Sequence, residues 1–184
     1  MKGLIFTQFL ELVETQYGYA MVDDIIESCD LASGGAYTDI GNYPYTEIVL
    51  LISALSNAID VPIDKLLKFL GEHLFVCLER KSPVKLQHCG DSFDFLESLD
   101  GVVHAEVMKL YPDAEVPIIF FEKKDKNQAL LHYESCRPLA KLAEGLLIGC
   151  ATFFDNAFTV EMLDKKIQQK ISVYSNWSEL ARVW

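Results

Sequence analysis

Hydrophobic positions recur at helical spacing through the first two-thirds of the chain, then gather into short runs separated by charged turns. Leu4, Ile5, Phe9, Leu12 and Val13 share one side of a helical repeat, which predicts an amphipathic helix over 3–17 that closes near Gly18. Further helices are predicted over 20–29, 46–59 and 62–78. Pro62 suits a first helical turn, where its missing N–H leaves no bond unmade. Between them, 32–45 carries Ser33-Gly34-Gly35, Gly41-Asn42 and Pro44 and reads as a loop, with a short extended piece at 36–40. Residues 81–90 read as a polar connector. Asp91 or Ser92 then caps a long helix that runs to 110 and stops at Tyr111-Pro112. Strands are predicted over 116–122 and 129–135, around the charged turn 123–127. A helix opens at Pro138 and reaches 154, and strands follow at 158–163 and 170–174. Helices first and strands later, with one inserted helix, predict an α+β fold with an antiparallel sheet of about four strands.

Composition narrows the function classes. The 184 residues are 51 % hydrophobic and 23 % charged, an ordinary globular balance and enough chain for one domain over 1–184. Sixteen basic against 27 acidic residues leave a net charge of −11, which argues against nucleic acid or an anionic membrane surface as partner. Cys29, Cys77, Cys89, Cys136 and Cys150 are scattered and form no CxxC pair, so free thiols in a reducing cytoplasm are expected. The N-terminal apolar stretch is broken by Gln8 and Glu11 and does not read as a secretory signal. The apolar run at 146–154 is too short to span a bilayer. No GxGxxG, P-loop or GxSxG pattern occurs, so the common nucleotide and hydrolase signatures are missing.

Two features remain that carry chemistry. On the helix over 91–110, Phe93, Leu96, Leu99, Val103, Val107 and Leu110 form the core stripe, and His104 lies at its edge near Phe93, Met108 and Tyr111. Gly101 leaves a gap beside it where a flat ligand can approach. Read alone, His104 is more simply a hydrogen-bonded boundary residue. The second feature is Tyr133-Glu134-Ser135-Cys136-Arg137. On a strand, Tyr133, Ser135 and Arg137 share a face at steps of about 7 Å. Three donors with no acid on that face suit a ligand bearing one or two carboxylates; a polar ladder on a solvated sheet is the plainer reading. Together, an imidazole and a row of carboxylate binders match what a haem needs: an axial nitrogen and anchors for its propionates.

These residues carry a resemblance. Tyr133-x-Ser135-x-Arg137 is similar to the YxSxR motif of haem-nitric oxide/oxygen binding (H-NOX) domains, and the chain resembles the stand-alone bacterial type. Met1-Lys2-Gly3-Leu4-Ile5 resembles the family's N-terminus. His104, followed by Lys109-Leu110-Tyr111-Pro112, falls where its proximal histidine falls. Pro117 and the run Leu142-Ala143-Glu144-Gly145-Leu146-Leu147 also resemble it, so the likeness covers essentially the whole chain. The resemblance implies the H-NOX fold, a helical N-terminal lobe packed on a C-terminal lobe with a four-stranded antiparallel sheet, and one haem b per chain. It makes His104 the axial iron ligand, Tyr133, Ser135 and Arg137 the propionate binders, and Ile5, Pro117 and Leu146 contacts to the macrocycle.

Oxygen-binding members of the family are similar in a distal tyrosine with polar support. Carried over from Arg137, the tyrosine position falls on Leu142 and the supporting positions on Phe9 and Leu74, all apolar here. Bound dioxygen gains from a hydrogen-bond donor worth about 1.5–3 kcal/mol, and nitric oxide needs it far less. The expectation is a selective nitric oxide sensor, with His73 one residue off the pocket face. By resemblance, nitric oxide would weaken the Fe–His104 bond, a haem bent against Pro117 and Ile5 would relax, and the N-terminal lobe would shift. No output domain is read in the chain, and its resemblance to stand-alone bacterial members implies a separate partner, a histidine kinase or a cyclic-di-GMP synthase or phosphodiesterase. No cysteine follows Cys150, so the zinc site of some members is not expected, and Trp177 and Trp184 read as packing residues. Gly145-x-x-x-Gly149 reads as a close helix contact. The rival readings are an oxygen-binding haem protein, a haem-free adaptor of the same fold, and an enzyme using Cys136 or Cys150. Neither thiol has an activating partner legible in the sequence, so no enzymatic activity is expected.

Overall fold

The computed structural model describes residues 1–81, 89–125, 128–155, 158–162 and 168–175. Most of the connector over 81–90, the end of the turn over 123–127, the last residue of the strand over 158–163, the tail with Trp177 and Trp184, and the side chain of Leu110 lie outside them. The chain forms two compact units, Met1–Leu70 and Gly71–Trp184.

The first unit is helical, with α1 (Gly3–Tyr17), α2 (Tyr19–Glu27), α3 (Tyr45–Ile59) and the start of α4 (Ile63–Lys81). Gly18 separates α1 from α2 at φ 86°, a conformation that favours glycine. The core is built from Phe6, Phe9, Val13, Ile25, Ile48, Leu51, Ile52 and Leu55, all at most 3 % exposed. Pro62 stands just ahead of α4, and its carbonyl accepts from Lys65 and Leu66 N–H. The extended piece expected at 36–40 is absent: 36–40 are loop and turn, and Lys2 pairs with Asn42 in an isolated bridge. This loop is fastened by its own contacts instead. Gly3 N–H donates to Gly41 O at 2.8 Å, Leu4 N–H to Asp39 O at 3.0 Å, and Tyr43 N–H to Met1 O at 2.9 Å. Tyr37 stacks on Phe6 with ring centroids 4.5 Å apart. The buried carboxylate of Glu47 accepts from Ser33 Oγ at 2.5 Å and Tyr37 Oη at 2.7 Å. A loop bonded to helix termini and side chains has no call for a strand partner.

The second unit carries α5 (Ser92–Ser98), a π-helical turn (Leu99–His104), α6 (Ala105–Leu110), β1 (Ile118–Lys123), β2 (Gln128–Glu134), α7 (Ala140–Phe153), β3 (Phe158–Met162) and β4 (Gln168–Ser175). The four strands form one antiparallel sheet, as the sequence pattern predicts, and their order is β1-β2-β4-β3. Ala129, Leu131 and Tyr133 alternate onto the buried face of β2, where they join Phe75, Phe93, Phe95, Leu96, Leu147 and Cys150 in one core. Asp91 is the cap residue, its side chain accepting from Asp94 N–H at 2.9 Å.

Two expectations are corrected. The long helix expected over 91–110 forms, but it is not α-helical throughout: a π turn occupies 99–104. Gly101 and the β-branched pair Val102-Val103 are poor helix formers, and the wider turn settles where the α-helical ladder is weakest. The stripe therefore loses its phase there, with Phe93 and Leu96 buried and Leu99, Val103 and Val107 only half-buried. The strand over 129–135 also stops one residue short. Its neighbour β1 begins at Ile118, which pairs with Glu134, so Ser135 has no partner in register on β1.

Candidate functional site

His104 ends the π turn, with its side chain 13 % exposed. Burial pushes its pKa below the ordinary 6.5, against the opposing pull of Asp100, whose carboxylate lies 3.7 Å from Nδ1. That distance is too long for a hydrogen bond. Among the described residues, Nδ1 of His104 is the only buried side-chain nitrogen or oxygen without a hydrogen-bond partner. The imidazole is thus held neutral, with lone-pair chemistry available, which is the state an iron ligand requires. Beside it a Cβ on Gly101 would meet nothing within 4 Å, so the gap expected at that position exists. The neighbour Val103 packs on the core cluster that contains Tyr133, and Leu146 packs on the same cluster.

Tyr133, Ser135 and Arg137 do come together, but not as a strand ladder. Tyr133 ends the buried face of β2, and burial raises its phenol pKa while a hydrogen bond with Ser135 and the charge of Arg137 pull it down. The chain then bends, and Arg137 N–H donates to Ser135 Oγ at 3.1 Å. The expectation that no acid shares this face is corrected. Arg137 Nη1 donates to the backbone carbonyl of Glu115 at 3.0 Å, and Nη2 pairs with the Glu115 carboxylate. Sequence reasoning missed Glu115 because it stands 22 residues from Arg137 in a loop with no pattern of its own. Asp100 was legible only as an acid four residues before the histidine.

The apolar candidates fall in both units. Leu74 on α4 is fully buried, and Leu142 on α7 is 7 % exposed. Leu146 and Pro117 are half-buried. In the first unit Phe9 is 2 % exposed and Ile5 is half-buried, both on α1. Gly71, Gly145 and Gly149 bring α4 against α7 backbone to backbone, as the small-residue spacing predicts. A Cβ on Gly71 would stand 2.7 Å from Leu146 N and 2.8 Å from Gly145 Cα, and one on Gly149 would stand 2.7 Å from Phe75 Cβ. His73 turns to its own helix, its Nε2 3.5 Å from Cys77 Sγ. Cys136 is exposed, and burial drives the Cys150 thiol pKa far upward. Among the described residues no three His, Cys, Asp or Glu side chains gather as a metal-binding group, and no single helix is long and apolar enough to cross a membrane. One bent pair, α3 with α4, passes that test of length and composition together.

The chain is similar to known proteins. The haem-NO-binding family matches residues 2–162. The A71G mutant of the unliganded Fe(II) H-NOX protein from K. algicida is similar at 36 % identity and TM-score 0.92, over 99 % of this chain and 100 % of that one. The IWP-051-bound H-NOX from Shewanella woodyi, in the Fe(II)CO ligation state, is similar at 37 % identity and TM-score 0.84, over 100 % of this chain and 99 % of that one. An H-NOX protein from S. oneidensis in the Fe(II)NO ligation state shares the fold at 24 % identity and TM-score 0.88, over 96 % of this chain and 99 % of that one. No curated protein sequence matches the chain.

Proposed function

The chain belongs to the haem-NO-binding (H-NOX) family, a family of haem-based gas sensors, and from that premise we propose that it is a single-domain nitric oxide sensor with one haem b held on His104. The observation that carries the reading is the neutral, buried imidazole of His104 with its unpartnered nitrogen. When bound, the haem supplies a ferrous iron that takes a diatomic gas. Tyr133, Ser135 and Arg137 would hold its propionates, and Pro117 and Leu146 would pack on its ring.

Selectivity follows from what the chain offers the gas. Leu142, Leu74 and Phe9 are buried and carry no hydrogen-bond donor. A polarised ligand such as dioxygen loses about 1.5–3 kcal/mol without one, or roughly 10- to 100-fold in affinity, while nitric oxide loses little. His73, the nearby polar side chain, is engaged with Cys77. The structure from S. oneidensis in the Fe(II)NO ligation state makes nitric oxide a fitting ligand for the fold.

Transmission rests on the segment that bears His104. A π turn lacks the regular α-helical ladder and is a natural place for a helix to reseat when the pull on the imidazole changes. Val103 and Leu99 would carry that change into the core beside Tyr133. The output is a change in affinity for a separate cytoplasmic partner, a histidine kinase or a cyclic-di-GMP synthase or phosphodiesterase, by about 1–3 kcal/mol. The chain itself has no catalytic task in this reading. Absorption spectroscopy tests it. The purified protein should show a strong Soret band, and the reduced form should give no ferrous–dioxygen complex in air and shift on addition of nitric oxide. Colourless protein that refuses added hemin, or a stable ferrous–dioxygen complex formed in air, would defeat the reading.

A further inference from the structure

Arg137 and Glu115 differ sharply in their surroundings. The Arg137 side chain is 12 % exposed and that of Glu115 is 74 % exposed. Arg137 is further fixed by its own N–H on Ser135 and by Nη1 on the Glu115 carbonyl. The guanidinium is therefore the stationary partner, and the Glu115 carboxylate on Nη2 is the movable one. A planar fork of this kind binds one carboxylate well. A second carboxylate brought to the same fork meets the charge of the first.

We propose that Glu115 is an internal competitor for the porphyrin carboxylate at Arg137. It occupies the fork with a carboxylate of this chain, lowers porphyrin affinity, and makes tight binding depend on a side-chain carboxylate able to displace it. The proposal rests on the reading of Tyr133, Ser135 and Arg137 as propionate binders. Glu115 lies in an exposed loop between α6 and β1, so its replacement leaves the core untouched.

The test is the equilibrium partition of hemin between this protein and a competing apomyoglobin, for the wild-type chain and for Glu115→Gln and Glu115→Ala. Exposed ion pairs are modest, so both variants are expected to retain hemin about 2- to 5-fold more tightly. The gain should vanish with hemin dimethyl ester, whose side chains carry no charge. Variants that hold hemin no more tightly than wild type would overturn the proposal alone, as would an equal gain with the ester. A wild-type chain that takes up no hemin would overturn the haem reading and the proposal with it. Circular dichroism of each variant verifies that the fold is kept.

Discussion

The backbone of Gly71 on α4 lies directly against the carbonyl of Leu142 on α7, so close that a methyl group at position 71 has nowhere to go. Leu146 N and Gly145 Cα close the same space from the next turn, at 2.7 and 2.8 Å. Backbone atoms cannot rotate away as a side-chain tip can, so the two helices must separate if Gly71 gains a side chain. Gly71→Ala is therefore expected to destabilise the protein by about 1–3 kcal/mol, against a small gain from helix propensity. Thermal or denaturant unfolding of the pair measures it. The same change should loosen the seam that holds Leu74, Leu142 and Leu146, which faster haem loss would report.

His104→Gly removes the only side chain proposed to hold iron. The variant should load haem poorly, and imidazole added to the buffer should restore loading and much of the wild-type absorption spectrum. A spectrum unaltered by the substitution would mean that another side chain holds the axial position.

Leu142→Tyr places a hydroxyl at the position proposed to face the bound gas. If the absence of a donor sets ligand choice, dioxygen affinity should rise by roughly 10- to 100-fold while that for nitric oxide changes little. Titration of the reduced protein with each gas measures the two effects. A parallel rise for both gases would assign selectivity to something other than the missing donor.

Glu47 governs acid sensitivity in the first unit. Burial alone would raise its carboxyl pKa, but hydrogen bonds from Ser33 and Tyr37 hold it below the ordinary 4.5. The unfolded chain therefore takes up the proton first as pH falls. The stabilisation is whole above 4.5 and is lost as pH falls through the folded value. Glu47→Gln should cost about 1–3 kcal/mol near neutral pH, and the gap from wild type should narrow as unfolding is measured from about pH 5 down to about pH 2.5.

Much of the fold was legible in local pattern. The helices over 3–17 and 46–59 and the four strands follow from apolar spacing, because a helix or strand face that enters a core must repeat with the backbone's own period. The interruption at Leu99–His104 was not legible. Periodicity counts residues per turn and does not register one wider turn until the phase downstream has moved, and the stripe ends too soon after His104 to show it. The end of β2 was missed for a different reason: Ser135 is as suited to a strand as Glu134, and the starting point of β1 leaves it without a partner on that strand.

What the sequence determined by itself is therefore the set of elements, the chemical character of His104, Tyr133, Ser135 and Arg137, and through their spacing the family. Tertiary structure alone decided that Nδ1 of His104 would be buried without a partner, that Arg137 would be held by Glu115, and that Gly71 would meet the backbone of Leu142. Backbone period and side-chain chemistry are properties of neighbours along the chain. Burial, charge pairing and close approach depend on which distant segment arrives, and that is settled only when the whole core closes.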